Sequence, residues 1–408
     1  MQTRLVESIL KTPRGQEADR ILRTCVHCGF CTATCPTYQL LGDELDGPRG
    51  RIYQIKMALE GAPVSRHTQQ HLDRCLTCLN CETTCPSGVQ YHRLLDIGRE
   101  YVEQQVQRST TEKLSRWLLR AVLTRPRLVT PFIRMGQFML PVLPRVLAQK
   151  IPPKQQLTPY QTRPQTRKML MLAGCVQPAM TPRTNHVTAQ VLNQLGIEVI
   201  EAPDAGCCGA LSQHLSATDE ARDFMRRNID AWQPYLDQGA EAIIITASGC
   251  GAMVKEYAAL LQDDPDYAAK AKRVSELAKD LCEILSASDI KQLKIANPKR
   301  IAFHPPCTLQ HAQQLNGKVE SLLQAAGFEL VRINDKHLCC GSAGTYSVLQ
   351  PNLANQLRER KLHDLQVDQP DMIVTANIGC QLHLQTGTQL PVKHWIELFS
   401  PDTQMPAM

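Results

Sequence analysis

Two cysteine runs near the start of the chain could hold metal. Each has the spacing C-x2-C-x2-C-x3-C-P, the first from Cys25 to Pro36 and the second from Cys75 to Pro86. This run is typical of [4Fe–4S] clusters, with three thiolates presented to one cube by a single tight loop. In paired runs the fourth cysteine ligates the other cluster. The spacing therefore predicts two clusters with crossed ligands, the first held by Cys25, Cys28, Cys31 and Cys85, the second by Cys75, Cys78, Cys81 and Cys35.

Zinc and disulfides are the other uses open to these cysteines. Structural zinc usually takes two C-x2-C pairs, whereas each run here adds a third and a fourth cysteine followed by proline. Disulfide frameworks are typical of secreted proteins, and Met1 to Leu10 show no apolar stretch of a signal peptide. The pattern favours iron–sulfur clusters, whose thiolate ligands require a reducing compartment.

Eight further cysteines recur in an internal repeat. Each copy has a single cysteine, a Cys-Cys-Gly triplet that begins 32 positions later, and a last cysteine that follows the pair by 42 positions in the first copy and 40 in the second. Glycine after the pair permits a turn that exposes both sulfurs. The candidate cofactor-binding residues are Cys175, Cys207, Cys208 and Cys250 in the first copy and Cys307, Cys339, Cys340 and Cys380 in the second.

The spacing of these eight cysteines leaves their role open. They could hold one metal or cluster in each copy, share one cofactor between the copies, perform reversible dithiol chemistry, or be buried structural residues. Cys282 lies outside the repeat, and we expect it to be an ordinary helix residue. We leave His304 and His337 out of the site, because a lone histidine more often satisfies a hydrogen bond. No catalytic residue is predicted.

Helices should position the first two runs. Residues 1–20 form a helical lead-in, and Ile52, Ile55 and Leu59 recur at helical spacing after an expected turn at residues 47–51. A further helix is expected from about Tyr91 to residue 107. The two cluster loops would then lie on a helical scaffold, in a domain that covers residues 1–108.

Strands alternating with helices should position the second group. Short apolar runs match between the copies: residues 169–173 with 301–303, 197–200 with 328–333, and 243–246 with 372–375. Each is followed by helix-like sequence, so the repeat predicts two α/β units with mostly parallel sheets and cysteines in the loops after strands. The fold class is thus α plus α/β, with repeats at residues 169–290 and 298–408.

A basic segment at residues 109–168 joins the two parts. From Lys113 to Lys168 there are twelve Lys and Arg and no Asp or Glu, although the whole chain is only +6. Leu114, Trp117 and Leu118 begin an apolar stripe, and prolines should break the chain after it into short pieces before an extended linker at residues 151–167. Such a helix could dock through Arg116, Arg120, Arg125 and Arg127 on anionic lipid or on a partner subunit. The alternative is a solvated linker.

Composition excludes other classes. The 408 residues include 17 cysteines, enough chain for two or three domains, and no run approaches a membrane span. Aromatic residues are scarce and no nucleic-acid reader motif is present. No G-x-G-x-x-G opens a strand–turn–helix unit, so a dinucleotide site is not predicted.

Taken together, the two cluster runs followed by two CCG repeats resemble a family of electron-transfer subunits over nearly the whole chain. It includes the iron–sulfur subunits of glycolate oxidase and anaerobic glycerol-3-phosphate dehydrogenase, and heterodisulfide reductase subunits. Residues 28–31, 35–38 and 47–52 are most similar to the bacterial glycolate oxidase (glycolate dehydrogenase) subunits. The N-terminal part resembles the α-helical ferredoxin domain of succinate dehydrogenase and fumarate reductase.

This resemblance implies an electron-transfer subunit of a membrane-associated complex. A separate FAD subunit would oxidise glycolate to glyoxylate, and D-lactate to pyruvate, and this chain would pass the electrons to a membrane acceptor such as quinone. We expect two [4Fe–4S] clusters, a further cluster or metal at the CCG repeats, and a peripheral position on the cytoplasmic side of the inner membrane. The alternatives are a subunit of a glycerol-3-phosphate or L-lactate dehydrogenase, or a thiol–disulfide enzyme acting at the CCG repeats.

Overall fold

A computed structural model describes residues 1–144, 151–160, 162–293 and 299–400. Within these ranges the chain forms a helical N-terminal domain, two further helices with an extended segment, and two α/β units with parallel sheets. The predicted α plus α/β fold class is confirmed. Residue 298 and residues 401–408, which the last predicted domain includes, lie outside the described residues, as do residues 145–150 and 161 of the basic segment.

The N-terminal domain is built around two packed helices. Helix Pro48–Leu59 buries the three predicted apolar residues, and Gly98 of helix Tyr91–Gln105 lies directly against Ile55. The former helix already begins at Pro48, so residues 47–51 are not a turn that precedes it; Gly50 is buried in its first turn, against the carbonyl of Glu44. The helices are Glu7–Leu10, Pro13–Thr24, Phe30–Ala33, Pro36–Leu41, Pro48–Leu59, Arg66–Asp73, Asn80–Thr83 and Tyr91–Gln105, with a 3-10 helix at Glu44–Asp46.

Two amphipathic helices come next, at Thr110–Leu123 and Pro126–Met139. Ser109 and Glu112 form a capping box that fixes the start of the first. Pro131 does not break the second helix as expected; it lies inside it. None of the helices that the structure describes is long and apolar enough to cross a bilayer. The described residues between 152 and 165 have no regular structure, as predicted, and Tyr160 Oη donates to the Ala189 carbonyl of the first repeat at 3.1 Å.

The first repeat forms a four-stranded parallel sheet in the order β2-β1-β3-β4. Its first three strands lie where the apolar runs predict them, and the edge strand β4 was not foreseen. The strands are β1 Arg167–Met171, β2 Ile197–Ile200, β3 Ile243–Ile245 and β4 Ala278–Asp280, and the helices are Gln177–Met180, Pro182–Gln194, Ala210–His214, Thr218–Asp237, Ser248–Lys255, Tyr257–Leu260, Ala268–Leu277, Leu281–Ile284 and Ala287–Gln292.

The second repeat has the same topology, with strand order β6-β5-β7-β8. Its strands are β5 Arg300–His304, β6 Glu329–Leu330, β7 Met372–Thr375 and β8 Val392–His394. Its helices are Lys318–Ala325, Tyr346–Leu349, Pro351–Gln366 and Ile378–Gln385, with a π-helix at Thr308–Ala312 and a 3-10 helix at Trp395–Phe399. One hydrophobic core contains residues of both sheets, including Met169 and Ile244 of the first and Ile301 and Val374 of the second, so the two repeats pack as one body.

Candidate iron–sulfur and cysteine sites

A cavity in the N-terminal domain brings together cysteines from both runs. Its lining includes Cys25, Cys28 and Cys31 of the first run and Cys85, the last cysteine of the second. Gly29, with φ +87°, turns the backbone between the second and third cysteines, and a helix begins directly after it at Phe30. The four sulfurs predicted to share one cluster therefore face one cavity.

A second cavity lies beside the first. It is lined by Cys75, Cys78 and Cys81 of the second run and by Cys35 of the first. Cys81 and Tyr91 line both cavities, so the two cavities are adjacent and share part of their lining. This is the spatial grouping that crossed ligation requires.

The electrostatics of these cysteines fit a bound metal cluster. Burial, together with the nearby Cys25, raises the pKa of the Cys31 thiol to about 11. Burial and neighbouring cysteines raise the pKa values of Cys78 and Cys81 well above the usual range. Thiols crowded in this way stay protonated unless a metal supplies positive charge. The four thiols predicted to act as ligands in each cavity are soft donors, which suit iron–sulfur clusters.

A buried arginine borders the second cavity. Arg51 is 1% exposed, donates Nε to the His71 carbonyl at 2.8 Å, and places Nη2 3.4 Å from Asp46 Oδ1. Burial lowers its pKa, but the nearby Cys75, Tyr91 and Cys35 outweigh burial and raise it. The guanidinium thus supplies fixed positive charge beside sulfurs that would carry negative charge as ligands.

Hydroxyl groups lie within hydrogen-bond distance of sulfur atoms of the second cavity. Tyr91 Oη donates to Cys75 Sγ at 3.5 Å, and Cys35 Sγ lies 3.3 Å from Thr37 Oγ1. Hydrogen bonds to ligand sulfurs are among the features that set the reduction potential of a cluster. Neither Tyr91 nor Thr37 was singled out from the sequence, because nothing in their spacing distinguishes them from core residues.

Each CCG repeat collects its own four cysteines. In the first, the Cys175 thiol interacts with that of Cys207, and the Cys208 thiol interacts with those of Cys207 and Cys250. The second repeats the pattern with Cys307 to Cys339, Cys339 to Cys340, and Cys340 to Cys380. The structure thus groups these cysteines as two sites rather than as one site shared between the repeats.

The glycine after each pair shapes the turn. Gly209 and Gly341 have φ +89° and +88°, and their N–H groups donate to Cys207 Sγ at 3.5 Å and to Cys339 Sγ at 3.4 Å. A Cβ at Gly341 would lie 2.6 Å from the Ala354 carbonyl oxygen. The sulfurs are not exposed by this turn as expected, because all four cysteines of the pairs are buried.

Two other expectations about this region need revision. Cys250 and Cys380 do not lie in loops; they lie in the first turns of helices Ser248–Lys255 and Ile378–Gln385. His304, which we left out of the site, has a ring nitrogen within 4.8 Å of Cys340 Sγ and Cys380 Sγ. Cys282 is a buried helix residue, as expected. The Nε2 atom of His311 lies 3.1 Å from the His337 carbonyl, so His337 contributes its backbone rather than its ring.

The second repeat lies directly against the second cavity. Cys78 packs on a small apolar cluster that contains Leu76, Cys307, Cys339 and Tyr346. Asn80 Nδ2 donates to the His337 carbonyl at 3.2 Å across the same contact. The cysteines of the first cavity, of the second cavity and of the second repeat therefore form a continuous series through the protein.

The four arginines predicted to dock the basic segment lie in two different settings. Arg116 Nη2 lies 3.0 Å from Asp73 Oδ1, and Arg120 Nη1 lies 2.8 Å from Glu220 Oε2, so both point into the protein rather than outward. Arg125 and Arg127 are exposed. Large apolar side chains also remain at the surface of both helices: Leu114, Trp117, Leu118, Leu128, Phe132, Met135, Phe138 and Met139.

Comparison with known proteins agrees with this arrangement. Residues 21–89 match the family model of the 4Fe-4S dicluster domain, and residues 169–255 and 301–385 match that of the cysteine-rich CCG domain. The glycolate oxidase iron–sulfur subunit of Escherichia coli K12 is 55% identical over 98% of each chain. A probable glycolate oxidase iron–sulfur subunit of Bacillus subtilis 168 is 30% identical over 90% of this chain and 89% of its own.

A shorter relative is also similar. Lactate utilization protein A of Bacillus velezensis is 26% identical over 53% of this chain and 90% of its own. The dicluster match, together with the two cysteine-lined cavities, means that the N-terminal domain is an iron–sulfur domain. The chain belongs to the family of glycolate oxidase iron–sulfur subunits.

Proposed function

We propose that this chain is the electron-transfer subunit of a complex that oxidises glycolate to glyoxylate, and D-lactate to pyruvate. The observation that carries the proposal is the series of three adjoining cysteine sites, which suits passage of electrons through the chain. The 55% identity to a glycolate oxidase subunit supports the choice of substrate. An FAD-containing subunit of the same complex would hold the substrate.

Cys25, Cys28, Cys31 and Cys85 would hold the first [4Fe–4S] cluster, and Cys35, Cys75, Cys78 and Cys81 the second. Bound clusters supply one-electron transfer. The chain's own residues keep water from the inner sites, since Leu76 and Tyr346 are buried beside Cys78. Arg51 and the hydroxyl of Tyr91 stabilise negative charge on the sulfurs of the second site.

The first site is the one nearest to solvent. Cys28 is exposed, and beside it Val26 and Phe30 are 67% and 62% exposed. We place the contact with the electron-donating subunit at this apolar rim. The segment from residue 110 to residue 139 would attach the complex to the cytoplasmic face of the inner membrane, where a quinone would accept the electrons.

The test is anaerobic reduction of the chain by glycolate. Glycolate should bleach the visible iron–sulfur absorption when the flavin subunit is present and leave it unchanged when the chain is alone, because the flavin that oxidises glycolate is expected on that separate subunit. Reduction by glycerol 3-phosphate or L-lactate, but not by glycolate, would overturn the choice of substrate. Glycolate oxidation by the purified chain, free of other subunits, would contradict the assignment of this reaction to a separate subunit.

A further inference from the structure

The two CCG sites differ at equivalent buried positions. Strand register aligns them: Leu170 of β1 pairs with Ile243 of β3, and Ala302 of β5 pairs with Ile373 of β7. Two residues after this aligned pair, Leu172 in the first repeat occupies the position that His304 occupies in the second. The first repeat thus has an apolar side chain, 2% exposed, where the second has a fully buried imidazole.

The same alignment sets a second polar residue beside His304. Thr375 of β7 pairs with His304 of β5. The first repeat has Ile245 at the position equivalent to Thr375. Both ring nitrogens of His304 and the hydroxyl of Thr375 are buried and have no hydrogen-bond partner among the described residues. Buried polar groups almost always have a partner, and the first repeat shows that apolar residues fit this place. The imidazole therefore lies where a partner is expected that the described residues do not supply.

The ring of His304 faces two sulfurs. One of its nitrogens, Cys340 Sγ and Cys380 Sγ all lie within 4.8 Å of one another. An imidazole nitrogen that has no hydrogen-bond partner among the described residues can offer its lone pair to a metal, as histidine ligands do.

A buried cation further separates the two sites. Lys361 is 2% exposed, donates Nζ to the Asp335 carbonyl at 2.7 Å, and interacts with the charges of Cys307, Cys339 and Cys340. In the first repeat, the corresponding helix carries Asn228, an uncharged residue whose amide bonds the Cys207 carbonyl at 2.8 Å. The second site thus has a buried ammonium group beside its sulfurs, whereas the cation that acts on Cys207 of the first site is the exposed Arg227.

We propose that His304 is a nitrogen ligand of an iron–sulfur centre at the second CCG site, where it joins Cys340 and Cys380, and that the first site has only cysteine ligands. Imidazole and thiolate together suit iron, and replacement of thiolate by histidine raises the reduction potential of a cluster. A centre here lies next to Cys78 and would accept electrons from the second cluster. The inference rests on the proposed electron-transfer role for the presence of iron, and on the described geometry for the ligand.

Pulsed EPR on the anaerobically purified full chain, labelled with 15N-histidine, tests this ligand. We expect one iron–sulfur signal with a directly bonded histidine nitrogen, in addition to the signals of the two N-terminal clusters, which have no histidine in their predicted ligand sets. His304→Leu, which installs the residue of the first repeat, should abolish this coupling and leave the N-terminal signals unchanged. His304→Cys should restore a centre without nitrogen coupling and with a lower potential.

His337→Gln is the matched control, because this histidine of the same repeat lies two residues before Cys339 but uses its backbone carbonyl rather than its ring. It should leave the nitrogen coupling unchanged. Wild-type protein that contains iron at the second site but shows no bonded histidine nitrogen would overturn the proposal, as would zinc or no metal at that site. Glycolate-dependent reduction of the N-terminal clusters, measured on the same samples, reports separately on the proposed function.

Discussion

Cys85 and Cys35 each complete a cavity whose other three predicted ligands belong to the opposite run. If ligation is crossed, Cys85→Ser should damage the cluster held by Cys25, Cys28 and Cys31, and Cys35→Ser the other one. EPR of the reduced protein, with the two signals assigned through Cys28→Ser and Cys78→Ser, measures which cluster changes. Loss in Cys85→Ser of the cluster that depends on Cys78 would contradict the crossing.

The hydroxyl of Tyr91 offers a finer test at the second site. The hydrogen bond from Tyr91 to Cys75 Sγ should stabilise the reduced, more negative state of the cluster, and Tyr91→Phe removes this bond. One hydrogen bond contributes about 1 kcal/mol, equivalent to roughly 40 mV for one electron. We expect an EPR-monitored redox titration of Tyr91→Phe to show that the reduction potential of the second cluster falls by this amount. Tyr101→Phe, on the same helix and without a described bond to sulfur, should leave both potentials unchanged.

Cysteine spacing predicted both cysteine groups, but could not predict the residues around them. Spacing identifies a metal loop because one short loop must present several sulfurs. Arg51, Tyr91 and His304 reach the sites from other elements, so their roles depend on packing between segments far apart in the chain. For His304 the sequence did contain a signal, because aligning the two repeats places this histidine at the position of Leu172.

At the scale of elements, the helices Thr110–Leu123 and Pro126–Met139 present apolar residues to solvent. Trp117, Phe132 and Phe138 are 55%, 57% and 87% exposed. Replacing all three with Gln should weaken attachment to anionic vesicles by roughly 100-fold, at about 1 kcal/mol for each side chain. Vesicle co-sedimentation measures this effect.

Val348 and Val367 provide the control for this experiment, because both are exposed apolar residues of the second repeat. Replacing them with Gln should leave vesicle binding unchanged. A second variant, with Gln at the exposed basic residues Lys113, Arg125, Arg127 and Arg134, should detach at lower salt than wild type. Unchanged vesicle binding in both helix variants would contradict membrane attachment through these helices.

The central strands could be predicted from the sequence, whereas the edge strands β4 and β8 could not. β1, β3, β5 and β7 are central strands with continuous apolar runs, which parallel sheets require and which the sequence displays. The edge strands β4 and β8 have three residues each and carry Lys279 and Lys393, so no apolar run marks them. Pro131 was expected to help break the chain into short pieces, but it lies inside helix Pro126–Met139, five residues after the first residue of this helix.

At the scale of the whole molecule, His92 joins the N-terminal domain to the first repeat. Its Nδ1 lies 2.8 Å from Glu82 Oε2, and its Nε2 lies 3.9 Å from Glu256 Oε2. Burial lowers the pKa of His92, but Glu256 and Glu82 outweigh burial and raise it to about 10. A pKa raised on folding stabilises the folded state fully below the unfolded value near 6.5, and this contribution is lost as pH rises toward 10.

His92→Gln should therefore lower the free energy of unfolding by roughly 1–2 kcal/mol at pH 6. The difference from wild type should shrink steadily and vanish near pH 10.5. Denaturant unfolding of both proteins across this range measures it, and His67→Gln, an exposed histidine of the same domain, controls for the substitution itself. A difference that stays constant with pH would show that His92 acts through packing alone.

The pairing of Cys85 with the first run bears on how the protein is made. When residue 40 has left the ribosome, three of the four predicted ligands of the first cluster have emerged, but the fourth, Cys85, has not. The second cavity also packs on Cys307 and Cys339, which are made after every cysteine of the two runs. Iron delivered before Cys85 emerges would find an incomplete first site, and a product truncated before the second repeat would lack the residues that cover Cys78 at the second site.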